Sequence, residues 1–231
     1  MTLRSFLPVF FSAVLPLAAQ NVLDLQFSGE TATDTAGGRA VELQNVVVMG
    51  SGAGAYGDVD GKGAIVVTSD PELSFGPQDT LWIEMWVNPV QIGKTGILLT
   101  KGSGANYRVS ASPRNQFSLS YYSLGKWRAL QSETPLALNE WQHIACLFDA
   151  PAGTITLLLN GRVVAHSTDM PAFQSKDATP LLIAGNQVQE TGEYVGMVGG
   201  VGRVIIARGN PREVPSSPAM DQQVYDVQSP F

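Results

Sequence analysis

The sequence contains little of the chemistry that commonly marks an enzyme or a metal site. It has a single cysteine, Cys146, and two histidines, His143 and His166, among 231 residues. One cysteine cannot form an internal disulfide, and its place in an apolar segment favours a buried, inert thiol. Neither histidine has a second histidine or a cysteine at metal-ligand spacing, and no Gly-x-Ser-x-Gly signature occurs. Stability is therefore expected from packing, with a structural metal ion as a possible addition.

Positive charge is also scarce. The chain has 14 Lys and Arg against 20 Asp and Glu, a formal net charge of −6. An acidic chain without basic clusters is a poor candidate for nucleic-acid binding, so no nucleic-acid partner is expected. Heptads, long helical patterns and internal repeats are missing as well, which argues against a coiled coil or a solenoid.

The long apolar run of the chain lies at its amino terminus. Arg4 precedes an apolar segment at residues 5–17, and Ala18-Ala19 places small residues before Gln20. This arrangement is typical of a secretory signal peptide at residues 1–19. The run is shorter than the ~20 residues that a spanning helix needs. We therefore expect a secreted protein, periplasmic or extracellular, without a membrane anchor after cleavage.

Short strand patterns fill the rest of the chain and predict an all-β domain at residues 20–214. A Pro-, Ser- and Gln-rich stretch at residues 215–231 is expected to be a flexible tail. The polar segment 30–39 and the Gly-rich segment 50–63 are predicted to be loops. The predicted strands cover residues 22–27, 41–49, 64–68, 81–90, 96–101, 107–110, 116–122, 126–131, 141–148, 154–159, 162–166, 180–185 and 199–206.

One stretch gives the most detailed structural prediction. Residues 141–148 are mostly apolar on both faces, as expected of a strand inside a stack of two sheets. The two strands that follow are joined by Asn160-Gly161, which suits a two-residue type I′ turn. That turn predicts a register with Leu157 opposite Val164 and Leu158 opposite Val163.

Two segments resemble a known family. They are Trp141-x-His143-x-Ala145 followed by its hairpin, and LWIEMWVNPV at residues 81–90. Both are similar to laminin G-like domains of the concanavalin A-like lectin and glucanase group. The resemblance implies an all-β jelly roll, a sandwich of two antiparallel sheets. It also implies a structural role for the histidine of the Trp-x-His motif.

Catalysis is not expected. A glycoside hydrolase needs two carboxyl groups ~5–10 Å apart, and enzymes of this fold usually take both from one strand. Glu84 is the carboxylate in a suitable strand position, and its neighbours on the same face are Trp82, Trp86 and Asn88. We therefore predict no catalytic residues, with a divergent glycan-cleaving enzyme as the alternative.

The resemblance also raises the question of calcium. Relatives often bind Ca²⁺ through oxygens near the first strands and an acidic pair in the last strand. Asp34, Asp58 and Asp60 are the candidates for the first set, but Gly202-Arg203 replaces the acidic pair. Because Ca²⁺ takes six to eight oxygen ligands, we predict neither a cofactor nor a calcium site. As an alternative, the Arg203 guanidinium could pair with one of these three aspartates and replace the charge of the ion.

A hairpin supplies the candidate ligand-binding residues: Tyr121, Tyr122, Lys126, Trp127 and Arg128. Sugar rings stack on aromatic faces and polar neighbours fix their orientation. The alternative is that these aromatics pack in the core or across strands, and the two tyrosines must point to opposite faces. The expected function is a non-catalytic recognition or adhesion module for a glycan or an extracellular protein. A structural cell-envelope protein without a small ligand is the alternative.

Overall fold

The computed structural model describes residues 19–92, 96–102, 106–171, 178–185 and 196–209. Within them the chain forms two single 3-10 turns, Gly52–Gly54 and Pro71–Leu73, and fourteen strands. The strands are β1 Gln20–Ser28, β2 Thr31–Asp34, β3 Val41–Met49, β4 Tyr56–Val67, β5 Thr80–Ile92, β6 Gly96–Lys101, β7 Tyr107–Ala111, β8 Phe117–Ser123, β9 Lys126–Gln131, β10 Gln142–Asp149, β11 Thr154–Leu159, β12 Arg162–Ser167, β13 Leu181–Ile183 and β14 Met197–Arg208.

The strands form two packed antiparallel sheets, which confirms the predicted jelly-roll sandwich. The first sheet has the order β2-β1-β14-β5-β10-β11-β12, and the second has β3-β4-β13-β6-β7-β8-β9. The long strand β14 joins them. Its residues 198–201 pair with β4, whereas residues 204–208 pair with β1, and both parts pair with β5.

The core lies between the sheets and follows the two-residue period of the strands. On β5, Leu81, Ile83, Met85 and Val87 are buried in the core, so the residues between them face away from it. Cys146 is also buried in this core. Burial raises the pKa of its thiol well above the ordinary value, which agrees with the inert cysteine predicted from the sequence.

The hairpin of β11 and β12 shows where turn chemistry determines a register and where it does not. Asn160 and Gly161 have φ angles of 50° and 76°, as a type I′ turn requires. Leu158 lies opposite Val163 as predicted. The second predicted pair is wrong, because a bulge between Leu157 and Leu158 places Leu157 opposite Ala165.

Two predicted loops are partly strand. The Gly-rich segment 50–63 contains the first half of β4, and the polar segment 30–39 contains β2. In β4 the glycines occupy core-facing positions where another backbone or side chain comes close. A Cβ at Gly63 would lie 2.4 Å from the carbonyl oxygen of Asn45, in the bulge of β3. The glycines therefore allow close strand contact rather than a loop.

The two segments predicted at the chain termini lie largely outside the described residues. The predicted signal peptide at residues 1–19 lies outside the described residues except for Ala19, and the tail at 215–231 lies wholly outside them. Across the described ranges, no helix has the length and apolar character needed to span a membrane.

Candidate functional site

The predicted aromatic hairpin is formed by β8 and β9 at one edge of the second sheet. Tyr122 lies directly opposite Trp127, and both side chains are on the outer face of the sheet. The connecting residues Leu124 and Gly125 have φ angles of 50° and 75°, so the strands are joined by a tight turn. Trp127 is 41% exposed, which makes it an accessible aromatic surface.

Tyr121 is not part of this surface. It is 1% exposed and packs in the core, with its ring centroid 4.8 Å from that of Phe148. As a core residue it cannot contact a ligand, so its inclusion among the candidates was wrong. Lys126 is exposed, but it lies one residue from Trp127 on the strand and so alternates to the other side. Tyr122 and Trp127 remain as the aromatic pair.

The Trp127 indole is held from two directions. The Tyr122 ring meets it edge to face, with centroids 5.9 Å apart and an angle of 75° between the planes. The guanidinium carbon of Arg108 on β7 lies 5.2 Å from the indole centroid. Edge-to-face and cation–π contacts of this kind each stabilise one orientation of the ring. The exposed indole face is therefore presented in a fixed position.

A shallow depression of about 210 Å³ lies beside this indole, lined by Arg108, Ser120, Trp127, Arg128 and Ala129. The Nε atom of Arg108 is buried and has no hydrogen-bond partner among the described residues. Arg128 lies opposite the core residue Tyr121, so its side chain alternates to the same side of the sheet as that of Lys126. The surface thus combines an aromatic platform, a serine and the Arg108 guanidinium. Arg108 and Ser120 were not among the residues predicted from the sequence, and the pairing of β7 with β8 places them opposite each other.

A second polar cluster lies on the outer face of the first sheet. Glu84 is 2% exposed and accepts a hydrogen bond of 3.1 Å from Nε1 of Trp82. Burial raises the pKa of Glu84 more than this bond and nearby Arg203 lower it. Burial also lowers the pKa of His143, whose Nε2 lies 3.8 Å from the Glu84 carboxylate. Because both shifts disfavour the charged forms, they argue against a strong ion pair between these two groups.

The structure brings a second carboxylate near Glu84 that the sequence did not reveal. Asp24 on β1 and Glu84 on β5 both pair with Ile205 of β14, so their backbones are two strand spacings, or about 10 Å, apart. Arg203 binds Asp24 with two hydrogen bonds of 2.7 and 2.6 Å. The pairing of Arg203 with Asp34, Asp58 or Asp60 was therefore wrong. Because its guanidinium engages both oxygens, Asp24 is unsuited to act as a nucleophile or base.

Two of the three aspartates considered for calcium, Asp34 and Asp60, have other partners, and burial and the nearby Asp60 raise the pKa of the third, Asp58. Asp34 accepts hydrogen bonds from the N–H groups of Asp24 and Gly37 and from the Arg39 guanidinium at 2.9 Å. Burial alone would raise the pKa of Asp34, but these hydrogen bonds outweigh it and hold the pKa below its ordinary value. Asp60 accepts from the N–H of Lys62. In the described part of the chain no three acidic, histidine or cysteine residues are grouped as metal ligands, so these residues do not fit a family-type calcium site.

We expect chelation to leave the melting temperature unchanged. An ion bound at a hundred times its dissociation constant would add ~2.7 kcal/mol, which corresponds to roughly 5–11 °C for a domain of this size. Thermal unfolding with EDTA and with millimolar Ca²⁺ measures this directly. A calcium-dependent rise of several degrees that Asp34→Ala abolishes would show that the loop carboxylates suffice for a site.

Three solved domains are examples of structures with a similar fold. Domain 4 of AbnA, a GH43 extracellular arabinanase from Geobacillus stearothermophilus solved with arabinotriose, matches with a TM-score of 0.67 at 16% identity, over 84% of this chain and 96% of that one. The binding domain of Paraclostridial Mosquitocidal Protein 1 gives 0.66 at 13%, over 81% and 48%. The binding domain of botulinum neurotoxin DC in complex with SialylT gives 0.58 at 12%, over 81% and 47%.

The chain thus spans about half the length of the two toxin domains and nearly all of the arabinanase domain. No curated protein matches it at the level of sequence. The sequence profile of the concanavalin A-like lectin/glucanases superfamily, of the laminin G type, matches residues 60–202, more than half of the chain. With the sandwich described above, this match shows that the chain belongs to the concanavalin A-like lectin/glucanase superfamily.

Proposed function

We propose that the protein is an exported, non-catalytic module that binds glycans on the outer face of the β8–β9 hairpin. The observation that carries the proposal is the half-exposed indole of Trp127, fixed by Tyr122 and Arg108 beside a depression that Arg108 and Ser120 line. The solved complexes of structural neighbours with arabinotriose and with SialylT support the choice of glycan as ligand. Export is supported by the amino-terminal sequence pattern.

The mechanism of binding follows from the two parts of the site. The apolar C–H face of a sugar ring packs on the indole. The sugar hydroxyl groups accept hydrogen bonds from Arg108, and they can donate to or accept from the hydroxyl of Ser120. A depression of about 210 Å³ is smaller than the ~300–1,000 Å³ of an enclosing small-molecule pocket. The site is therefore suited to one or two sugar units bound at the surface.

A non-catalytic role is supported by the chemistry of the other outer face. Glu84 is buried, accepts a hydrogen bond from Trp82, and has a pKa that burial raises above its ordinary value. The nearby Asp24 is held by Arg203 with two hydrogen bonds. A glycosidase needs one carboxyl group as acid and a second, available carboxylate as base or nucleophile. Of the two carboxyl groups near Arg203, those of Glu84 and Asp24, neither is therefore available as the second carboxylate.

Replacing Trp127 by alanine tests the proposal. Because buried aromatic anchors commonly contribute ~2 kcal/mol or more, we expect Trp127→Ala to weaken glycan binding by about 30-fold or more. A glycan array with arabino-oligosaccharides among its probes identifies the ligand, and calorimetry measures both proteins. Leu124→Ala is the matched control, since Leu124 is 74% exposed at the tip of the same hairpin. An unchanged affinity in Trp127→Ala, or no binding to any glycan, would contradict the proposal.

A further inference from the structure

We propose that the Trp127 site selects acidic glycans, with the Arg108 guanidinium pairing with a carboxylate or sulfate group carried by the sugar. This inference rests on the proposed glycan-binding function and adds the charge of the ligand to it. It depends on three properties of the described site. They are a partly buried guanidinium without a counter-ion among the described residues, its unpaired Nε–H group, and the apolar platform beside it.

The first property appears when the arginines are compared. Hydrogen bonding to Asp24 raises the pKa of Arg203. Burial would lower the pKa of Arg39, but Asp34 and Asp70 outweigh it and raise the pKa. Arg108 differs from both, because its pKa is lowered and burial is the sole cause. A partly buried cation without a carboxylate partner is unfavourable, and an anionic ligand would remove that penalty.

The second property is the geometry of the donors. Arg108 lines the depression, and its Nε atom is buried without a hydrogen-bond partner among the described residues. A guanidinium presents its N–H groups as a planar fork that matches the two oxygens of a carboxylate or sulfate. The described ion pairs do not include Arg108. Among the described residues its guanidinium therefore has no anionic partner.

The third property indicates an anion that is attached to a sugar. The Arg108 guanidinium carbon lies over the Trp127 ring, 5.2 Å from its centroid, so a sugar packs on the part of the indole that the guanidinium leaves open. An acidic substituent of that sugar can reach the guanidinium at the edge of the indole. The net charge of −6 disfavours general attraction of anions by the whole chain. The selectivity must then come from this local pairing.

The test compares trigalacturonate with its methyl ester, which has the same rings without the charge. A charge-assisted hydrogen bond commonly contributes enough to give a tenfold or larger difference, so we expect the acid to bind about 10–100-fold more tightly at low salt. Added salt should reduce this preference. Arg108→Gln should abolish the preference, so that acid and ester bind with equal affinity, and Arg108→Lys should retain part of it, because the charge remains but the fork is lost.

Arg162→Gln is the matched control, because Arg162 is an exposed arginine on β12. It should leave the preference unchanged. If Arg162→Gln reduces the preference as much as Arg108→Gln, the effect belongs to the general field of the protein and the inference is wrong. If acid and ester bind equally and Trp127→Ala weakens both, the acidic selectivity is wrong and the glycan site stands. If no sugar binds in any variant, the proposed function itself fails.

Discussion

Replacing Arg39 by methionine is expected to lower the melting temperature by roughly 6–20 °C. The Arg39 and Asp34 side chains are only 4% and 0% exposed, and their atoms lie 2.9 Å apart. Arg39 also donates to Glu72, at 2.9 Å, and to the carbonyl of Val22. Removing one partner of a buried ion pair costs ~3–5 kcal/mol, because the other charge stays buried without compensation, and each kcal/mol corresponds to ~2–4 °C here.

The pH dependence of this effect follows from the pKa of Asp34. Burial opposes ionisation of this carboxyl, but hydrogen bonds that include Arg39 hold its folded-state pKa below the ordinary value of 3.8. Its stabilising contribution is therefore complete above pH 3.8 and is lost as the pH falls through the folded pKa. The gap between wild type and Arg39→Met should narrow in acid. Arg162→Met is the control. Equal melting temperatures for all three proteins at neutral pH would show that the Arg39–Asp34 pair does not stabilise the fold.

A second large effect is expected at Gly199, where β14 joins the two sheets. Gly199 has φ of 132°, and a Cβ there would lie 2.1 Å from the carbonyl oxygen of Asn88 and 2.8 Å from the N of Val90. Gly199→Ala therefore combines backbone strain with a clash against a neighbouring strand that cannot simply rotate away. We expect the free energy of unfolding to fall by more than ~3 kcal/mol in denaturant titrations, the range of severe single substitutions.

Gly125→Ala separates the two contributions. Gly125 also has a positive φ, 75°, but nothing lies within 4 Å of the position that its Cβ would take. This control should lose only the ~1–2 kcal/mol of a left-handed backbone. If both variants lose the same amount, the close approach of β14 and β5 has no energetic consequence and the packing described at this joint is wrong.

The sequence predicts most of the fold because the strands follow simple rules. In β5, Leu81, Ile83, Met85 and Val87 alternate with residues that face away from the core, and this period alone defines a strand with one core face. The Asn160-Gly161 pair identifies a hairpin through its tolerance of positive φ. Such local rules do not include bulges, so the register beyond Leu158 was wrong.

The parts that sequence reasoning missed depend on contacts between distant segments. The glycines of β4 led to the prediction of a loop. In the structure they are part of a strand, and Gly63 lies against the backbone of Asn45. Arg203 pairs with Asp24, which is 179 residues away in the chain. Arg108 joins the candidate site only because β7 pairs with β8. Alternation shows which side of a strand a residue occupies, but it does not reveal which distant residue lies beside it.

The proposed binding of glycan at the hairpin of the second sheet can be tested directly through the four tryptophans of the chain. Trp127 is on that outer face, whereas Trp82, Trp86 and Trp141 are on or beside the strands of the first sheet. Their indole N–H resonances can be followed by NMR while a glycan identified on the array is added. If glycan binds at this hairpin, the Trp127 resonance shifts in a saturable manner and the chemical shifts of the other three tryptophans do not change. A saturable shift of Trp86 or Trp141 with Trp127 unchanged would contradict it.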